Sequence, residues 1–271
     1  MSFRSEPSTT SARISRLNDY FSRKVLADGE MICGNASECK RSALSTNRGT
    51  KRPGVSYAQA QLPHVGQHFD LFEDDVPIRT LVIGMEMGEG DEYVSITQRR
   101  QQIMKSAARS MTQRNPHMQG VTNALRLTLG RPVGGDRAGE ILDLDGPVHV
   151  FDTCATTNLR LCSAYSAGRK SHGTDLMTKR CLRHLAATIE ILEPTLVIAQ
   201  GQVGKAIWPI VDDREDAGDH LSRVVVRGVS TLLARFTHPS AWGKHRWGGL
   251  DHPYLQETVE PVLVAARFAA R

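Results

Sequence analysis

The sequence predicts an α/β fold: a three-layer αβα sandwich around a central, mostly parallel, four-stranded sheet. Short β-rich apolar runs alternate with stretches of helical period. That order, strand, helix, strand, helix, strand, builds a mostly parallel sheet with helices on its faces. The runs end in glycine or polar turn signals, as strands do. The chain has 271 residues, 40% apolar and 23% charged, enough for one substantial core with decorations.

The elements follow in chain order. Residues 1–12, MSFRSEPSTTSA, have the Ser/Thr-rich composition of a flexible tail, and 13–271 read as a single domain. Ile14, Leu17, Phe21 and Val25 share one face of a helix over 13–28. MICGNASECKRSAL then carries Cys33 and Cys39, and 45–67 has loop composition. Arg79–Gly84 is the first strand. The turn after it, GMEMGEGDEY, holds Glu86, Glu89, Asp91 and Glu92, although the chain as a whole carries a net charge of +5. A helix over 97–113 has an apolar stripe of Ile103, Met104, Ala107, Ala108 and Met111. It lacks any acid from Thr97 to Arg114, which makes its basic face a minor candidate for phosphate contact. VTNALRLTLG (121–130) reads as a helix and VHVFDT (148–153) as the second strand. A long amphipathic helix fits 175–192, stopped by Pro194. TLVIAQ (195–200) is the third strand. RVVVRGVSTLLARFTH (223–238) is a fourth strand region, a hairpin or a bent pair, and the last helix spans 253–270.

No apolar run approaches the ~20 residues that span a bilayer, and the polar N-terminus lacks a signal-peptide core. The expectation is a cytoplasmic monomer with no membrane partner. There, five cysteines serve as ligands or packing residues rather than as a disulfide framework. The basic balance permits a polyanionic partner.

In a parallel sheet, ligands sit at the C-terminal ends of the strands. Three chemistry-bearing segments fall there: GMEMG, TTNLRLC and FTHPSA. Glu86 could act as a general base or stabilise a cation; alone, it reads first as a solvated turn acid. His238 could donate a hydrogen bond to a developing anion, or simply cap a turn before Pro239. The amide of Asn158 could read a base edge, or cap a turn.

Together these segments resemble the uracil-DNA glycosylase superfamily. Its first motif, G-x-x-P-G or G-Q-D-P-Y-H, aligns with GMEMG (84–88), and its H-P-S motif with 238–240. The resemblance runs over roughly residues 30–265. It implies a monofunctional DNA glycosylase. Glu86 would activate water or stabilise the oxocarbenium-like sugar, His238 would hold the departing base as an anion, and Asn158 would read its edge. Met85, Gly88 and Tyr93 would complete the base pocket. Met87 replaces the motif proline. Gly88 replaces the tyrosine that blocks substituents on C5 of the pyrimidine, so a 5-substituted base joins uracil as a candidate substrate. A relative of this kind excises glucosylated 5-hydroxymethylcytosine from phage DNA.

The same resemblance gives the cysteines a role. Its iron–sulfur branches place two cysteines before the first strand, a third in T-N-x-x-x-C, and a fourth on the following helix. Cys33, Cys39, Cys162 and Cys181 follow that layout, with five residues between the first two where two are usual. They would hold a [4Fe–4S] cluster, with zinc as the alternative. Cys154 is left as a buried strand residue. The loop after the H-P-S motif, AWGKHRWGG, resembles the family's wedge. It places Ser240, Trp242, Lys244, His245, Arg246 and Trp247 against DNA as a base flips out. The plainer reading is that one tryptophan packs in the core and the charges are solvated. A different class also remains open: a metal-stabilised DNA-binding protein without catalysis.

Overall fold

The computed structural model describes residues 2–46, 48–87 and 93–269. Among these, one seven-stranded mixed sheet organises the chain. Its strands are β1 (His64–Val65), β2 (Thr80–Gly84), β3 (Cys154–Asn158), β4 (Leu196–Gln200), β5 (Asp213–Gly218), β6 (Leu221–Val226) and β7 (Val229–Phe236). Their order is β5-β6-β7-β4-β2-β3-β1. The middle four, β7-β4-β2-β3, run parallel. The expected four-stranded sheet is therefore corrected to seven strands, with antiparallel members at both edges. One cause is the Arg227-Gly228 turn: both residues have positive φ (48° and 79°), the twist that closes a tight hairpin. The 223–238 region thus folds as paired β6 and β7, and β5 adds outside them.

The parallel strands are buried on both faces, as such strands are. Leu81 and Ile83 of β2 enter one apolar cluster with Leu17, Phe21, Leu185 and Ile189. Val82, between them, enters a second cluster with Val121, Leu125, Leu263 and Ala266. The period of two that separates these clusters is the strand's own.

Helices α1 (Pro7–Lys24), α2 (Ala36–Leu44), α3 (Ile96–Ala107), α4 (Pro116–Thr128), α5 (Asp175–Leu192), α6 (Val203–Ala206) and α7 (Glu260–Ala269) complete the fold. None is long and apolar enough to cross a membrane. Side-chain caps set several starts: Ser95 and Gln98 form a capping box on α3, Asn115 accepts from the Met118 N–H at 2.9 Å on α4, and Thr174 caps α5.

Two further expectations change. Residues 2–12 do not form a loose tail. Phe3–Ser5 pairs with Leu71–Glu73, and α1 starts at Pro7, a residue suited to the first helical turn. Thr10 donates to Asp70 at 3.0 Å and Arg13 pairs with the same carboxylate at 3.1 Å, both buried. Tertiary contacts override a tail-like composition. The second strand is also displaced. Gly146–His149 forms a hairpin with Ile141–Leu144, and Val150–Thr153 is a tight turn capped by His149 Nδ1, which accepts from the Phe151 N–H at 3.0 Å. The sheet strand is the next segment, Cys154–Asn158.

His64, on β1, is fully buried. Its Nε2 donates to the Phe151 carbonyl at 2.7 Å, while Nδ1 has no partner. Burial holds its pKa down at about 4. A depressed histidine pKa means that the unfolded chain binds more protons between about pH 6.5 and 4. The stability it contributes is complete above pH 6.5 and declines as pH falls towards 4, by up to about 3 kcal/mol. His64→Gln keeps an N–H donor and cannot titrate. Chemical denaturation at pH 7 and pH 4.5 should therefore show a smaller loss for the variant than for the wild type; equal losses would refute the assignment.

Candidate active site and cysteine pocket

The parallel register brings the strand ends together. Asn158 is paired with Gly84 across β3 and β2, and Gln200 with Phe236 across β4 and β7. His238 lies two residues beyond β7. At this rim opens a cleft of about 1450 Å³, whose walls include Gly84, Met85, Glu86, Asn158 and His238. A Cβ on Gly84 would stand 2.9 Å from Asn158 Oδ1, so the absent side chain is what lets the amide lie over the strand end.

Glu86 is not a solvated turn acid. Its side chain is 5% exposed. The Ser171 hydroxyl donates to Oε1. Oε2 lies 3.5 Å from Nη1 of Arg160, an ion-pair contact that leaves this oxygen without a formed hydrogen bond.

His238 has a defined tautomer. Its Nδ1 faces the Ser240 N–H at 3.2 Å and the Ser240 hydroxyl at 2.7 Å. A backbone N–H can only donate, so Nδ1 accepts and the ring proton sits on Nε2. Burial lowers the His238 pKa, which keeps the ring neutral near pH 7. His117, at the start of α4, stacks on it with centroids 5.6 Å apart at 17°. Burial, and then the neighbouring His238, hold the His117 pKa down at about 4. The pair forms a wall of neutral imidazoles.

Other expected site residues divide. Met85 lines the cleft, and its carbonyl accepts from the Arg160 N–H at 2.8 Å. Tyr93 does not line it. A left-handed backbone (φ 56°) reverses the chain there, and the ring packs against the apolar cluster that contains Leu81 and Ile83. Gly88 lies outside the described residues, as do Glu89, Asp91 and Glu92.

In the loop after β7, Trp242 is 95% exposed, and Lys244, His245 and Arg246 are exposed beside it. Trp247 is 0% exposed and is removed from the DNA-facing set. Its indole N–H donates to the Thr237 carbonyl at 2.7 Å, and the ring packs edge-on to Phe236. Ser240 is exposed, yet its hydrogen bonds are those that orient His238. Two arginines of α3 are engaged within the fold: Arg99 is buried and bonds Gln61 and Gln102, and Arg100 bonds both oxygens of Asp152 at 3.0 and 2.8 Å; Lys105 is exposed.

Cys33, Cys39, Cys162 and Cys181 line one small apolar cavity, with Val25, Met31, Leu161 and Met177 between them. Cys33 precedes α2, Cys39 lies on α2, Cys162 follows β3 and Cys181 lies on α5. Burial first, with the neighbouring sulfurs adding to it, raises the Cys39 thiol to about 11 and the Cys181 thiol to about 12. Burial also raises the Cys162 thiol, and a cation in the cavity would favour the thiolates of Cys39, Cys162 and Cys181. Among the described residues, no group of three or more His, Cys, Asp or Glu could hold a single metal ion. Arg183 donates to Cys33 Sγ at 3.4 Å, and His184 Nε2 stands 3.8 Å from it. Cys154 is buried in β3 and belongs to the other apolar cluster.

Three residues at the cleft were not singled out from sequence: His117, Arg160 and Ser171. Arg160 sits inside the TTNLRLC segment, but nothing local marks it as Glu86's partner. No protein-family model matches the chain, and comparison with curated proteins gives no match.

Proposed function

We propose that the protein is a monofunctional DNA glycosylase of the uracil-DNA glycosylase superfamily, built on the three-layer αβα core of that group. The observation that carries this reading is the meeting of Glu86, Asn158 and neutral His238 at one strand-end cleft. A pyrimidine flipped from DNA enters the cleft, and the amide of Asn158 reads its edge. The N-glycosidic bond breaks and its electron pair leaves with the base. His238 offers its Nε2–H to the anionic base, while the Glu86 carboxylate faces the sugar cation. Water adds to C1′, and its proton passes to the base. The products are a free base and an abasic site.

The exposed Trp242, Lys244, His245 and Arg246 form the DNA wedge and phosphate grip. Cys33, Cys39, Cys162 and Cys181 hold a [4Fe–4S] cluster that ties α2 to the sheet. A single zinc with Zn–S bonds of about 2.3 Å needs more tightly gathered sulfurs than a cluster does. The protein acts as a cytoplasmic monomer in anti-phage defence or base-excision repair.

The test is base release, followed by mass spectrometry, from uracil-containing DNA and from phage DNA carrying glucosylated 5-hydroxymethylcytosine. Free uracil alone marks a repair enzyme. The modified base alone marks a defence enzyme. Release of neither, with DNA still bound, favours the non-catalytic DNA-binding reading.

A further inference from the structure

We propose that Arg160, with Ser171, is a positioning residue that clamps the Glu86 carboxylate into one orientation before DNA arrives. The role assigned to Glu86 rests on the glycosylase reading; the clamp itself rests on geometry.

Arg160 is 8% exposed and is held at several points. Its Nε donates to Thr178 Oγ1 at 2.9 Å. Thr178 in turn donates to the Thr174 carbonyl at 3.2 Å, in the first turn of α5. The Arg160 N–H bonds the Met85 carbonyl at 2.8 Å, so its backbone is tied to the residue before Glu86. The guanidinium is thus fixed from α5 and from the Glu86 loop, and Nη1 meets Oε2 at 3.5 Å.

The strap 171–173 closes over this pair. Ser171 takes Oε1, and the Gly173 N–H donates to the same Ser171 hydroxyl at 3.3 Å. A Cβ on Gly173 would stand 2.0 Å from Arg160 Nη1 and 2.4 Å from Glu86 Oε2. Only glycine allows the backbone so near.

The chemistry explains why such a clamp belongs here. A carboxylate on a loop samples several rotamers, and fixing it costs entropy. A buried, unpaired carboxylate is also expensive. Arg160 offsets both costs ahead of the reaction. Because the contact is single rather than bidentate, Oε2 keeps lone-pair capacity for water or for positive charge at the sugar. Ser171 occupies the other oxygen, so the reactive one is selected by structure.

Two measurements on the full-length protein test this. The first is a thermal-stability cycle of Arg160→Met, Glu86→Gln and the double variant. Arg160→Met strands a buried carboxylate and should lower Tm by roughly 10 °C. Adding Glu86→Gln should restore most of that loss; additive effects would overturn the pairing. The second is single-turnover base release. Arg160→Met should slow it about 100-fold with DNA affinity unchanged, and Arg160→Lys should recover part of the rate. Arg160→Met should add nothing in the Glu86→Gln background. A parallel loss of DNA affinity would make Arg160 a DNA contact and overturn the proposal. If wild type releases no base, the glycosylase reading falls, while the stability cycle still judges the clamp.

Discussion

On the glycosylase reading, Glu86→Gln should lower single-turnover base release by about 10³-fold and leave DNA affinity within about twofold. The size follows from electrostatics. A carboxylate about 4 Å from a unit positive charge contributes about 4 kcal/mol at an effective dielectric near 20. Each 1.36 kcal/mol is worth about tenfold in rate. The sugar carries that charge only on the way to the transition state, so the interaction lowers the barrier without tightening ground-state binding. Glutamine keeps the shape of glutamate and can still accept from the Ser171 hydroxyl at its amide oxygen, so the loop should stay in place. On the proposed reading DNA affinity would be set elsewhere, by Trp242, Lys244 and Arg246, which are exposed. Quenched-flow assays with fluorescence anisotropy separate the two quantities. A rate within tenfold of wild type would remove Glu86 from the reacting centre. A loss of affinity equal to the loss of rate would make it a binding residue instead.

How far the sequence announced this site depended on what each residue answers to. Glu86, Asn158 and His238 follow a rule of the fold: strand ends of a parallel sheet share one rim, and three β-rich runs located those ends. The four cysteines are carried by the same frame, and the cavity gathers them from three distant segments. What stayed hidden depends on contacts that no local pattern encodes. Trp242 and Trp247 sit in one short loop of uniform composition, and a single carbonyl, that of Thr237, accepts the Trp247 indole and draws it into the core. The resemblance puts Tyr93 in the base pocket, but its backbone has a positive φ and its ring packs against the apolar cluster instead. The second strand slipped because two β-competent segments abut. The more apolar, Val148–Thr153, divides between a hairpin strand ending at His149 and the turn Val150–Thr153 that His149 caps, and the threonine-bearing Cys154–Asn158 takes the sheet position. Arg160 was unreadable because its partner lies 74 residues earlier (160 minus 86), brought close by the β2–β3 register alone.

If the four cysteines hold the proposed cluster, Cys162→Ser and Cys181→Ser should each lose iron, and with it the order of the segment around α2. The reason lies in how little else holds that segment. On α2 itself only Cys39 and Ala43 are buried. The apolar cluster beneath it consists of five buried residues: Cys39, Ala43, Cys162, Ala164 and Met177. Ordering a residue's backbone costs about 1–2 kcal/mol, and burying one small apolar side chain returns no more than that. With the partly buried Met31, Val55, Tyr57 and Leu176 added, apolar burial here is still modest, and on the proposed cluster reading metal–thiolate bonds would supply much of the rest, as in other small metal-held segments. Iron analysis should fall from about four atoms per chain to near zero in either variant, with loss of visible iron–sulfur absorption. Limited proteolysis should then cut within 30–58 while the sheet core survives, since of its two large clusters only one borders the cavity, at Val25, Leu161 and Cys181. Cys154→Ser is the control: this thiol lies in the other apolar cluster, so it should lower Tm and leave iron unchanged. Zinc at one atom per chain in the wild type would replace the cluster with the alternative metal. Neither metal in the purified protein, together with protection of 30–58, would show that packing alone holds the segment and would remove the metal role from all four cysteines.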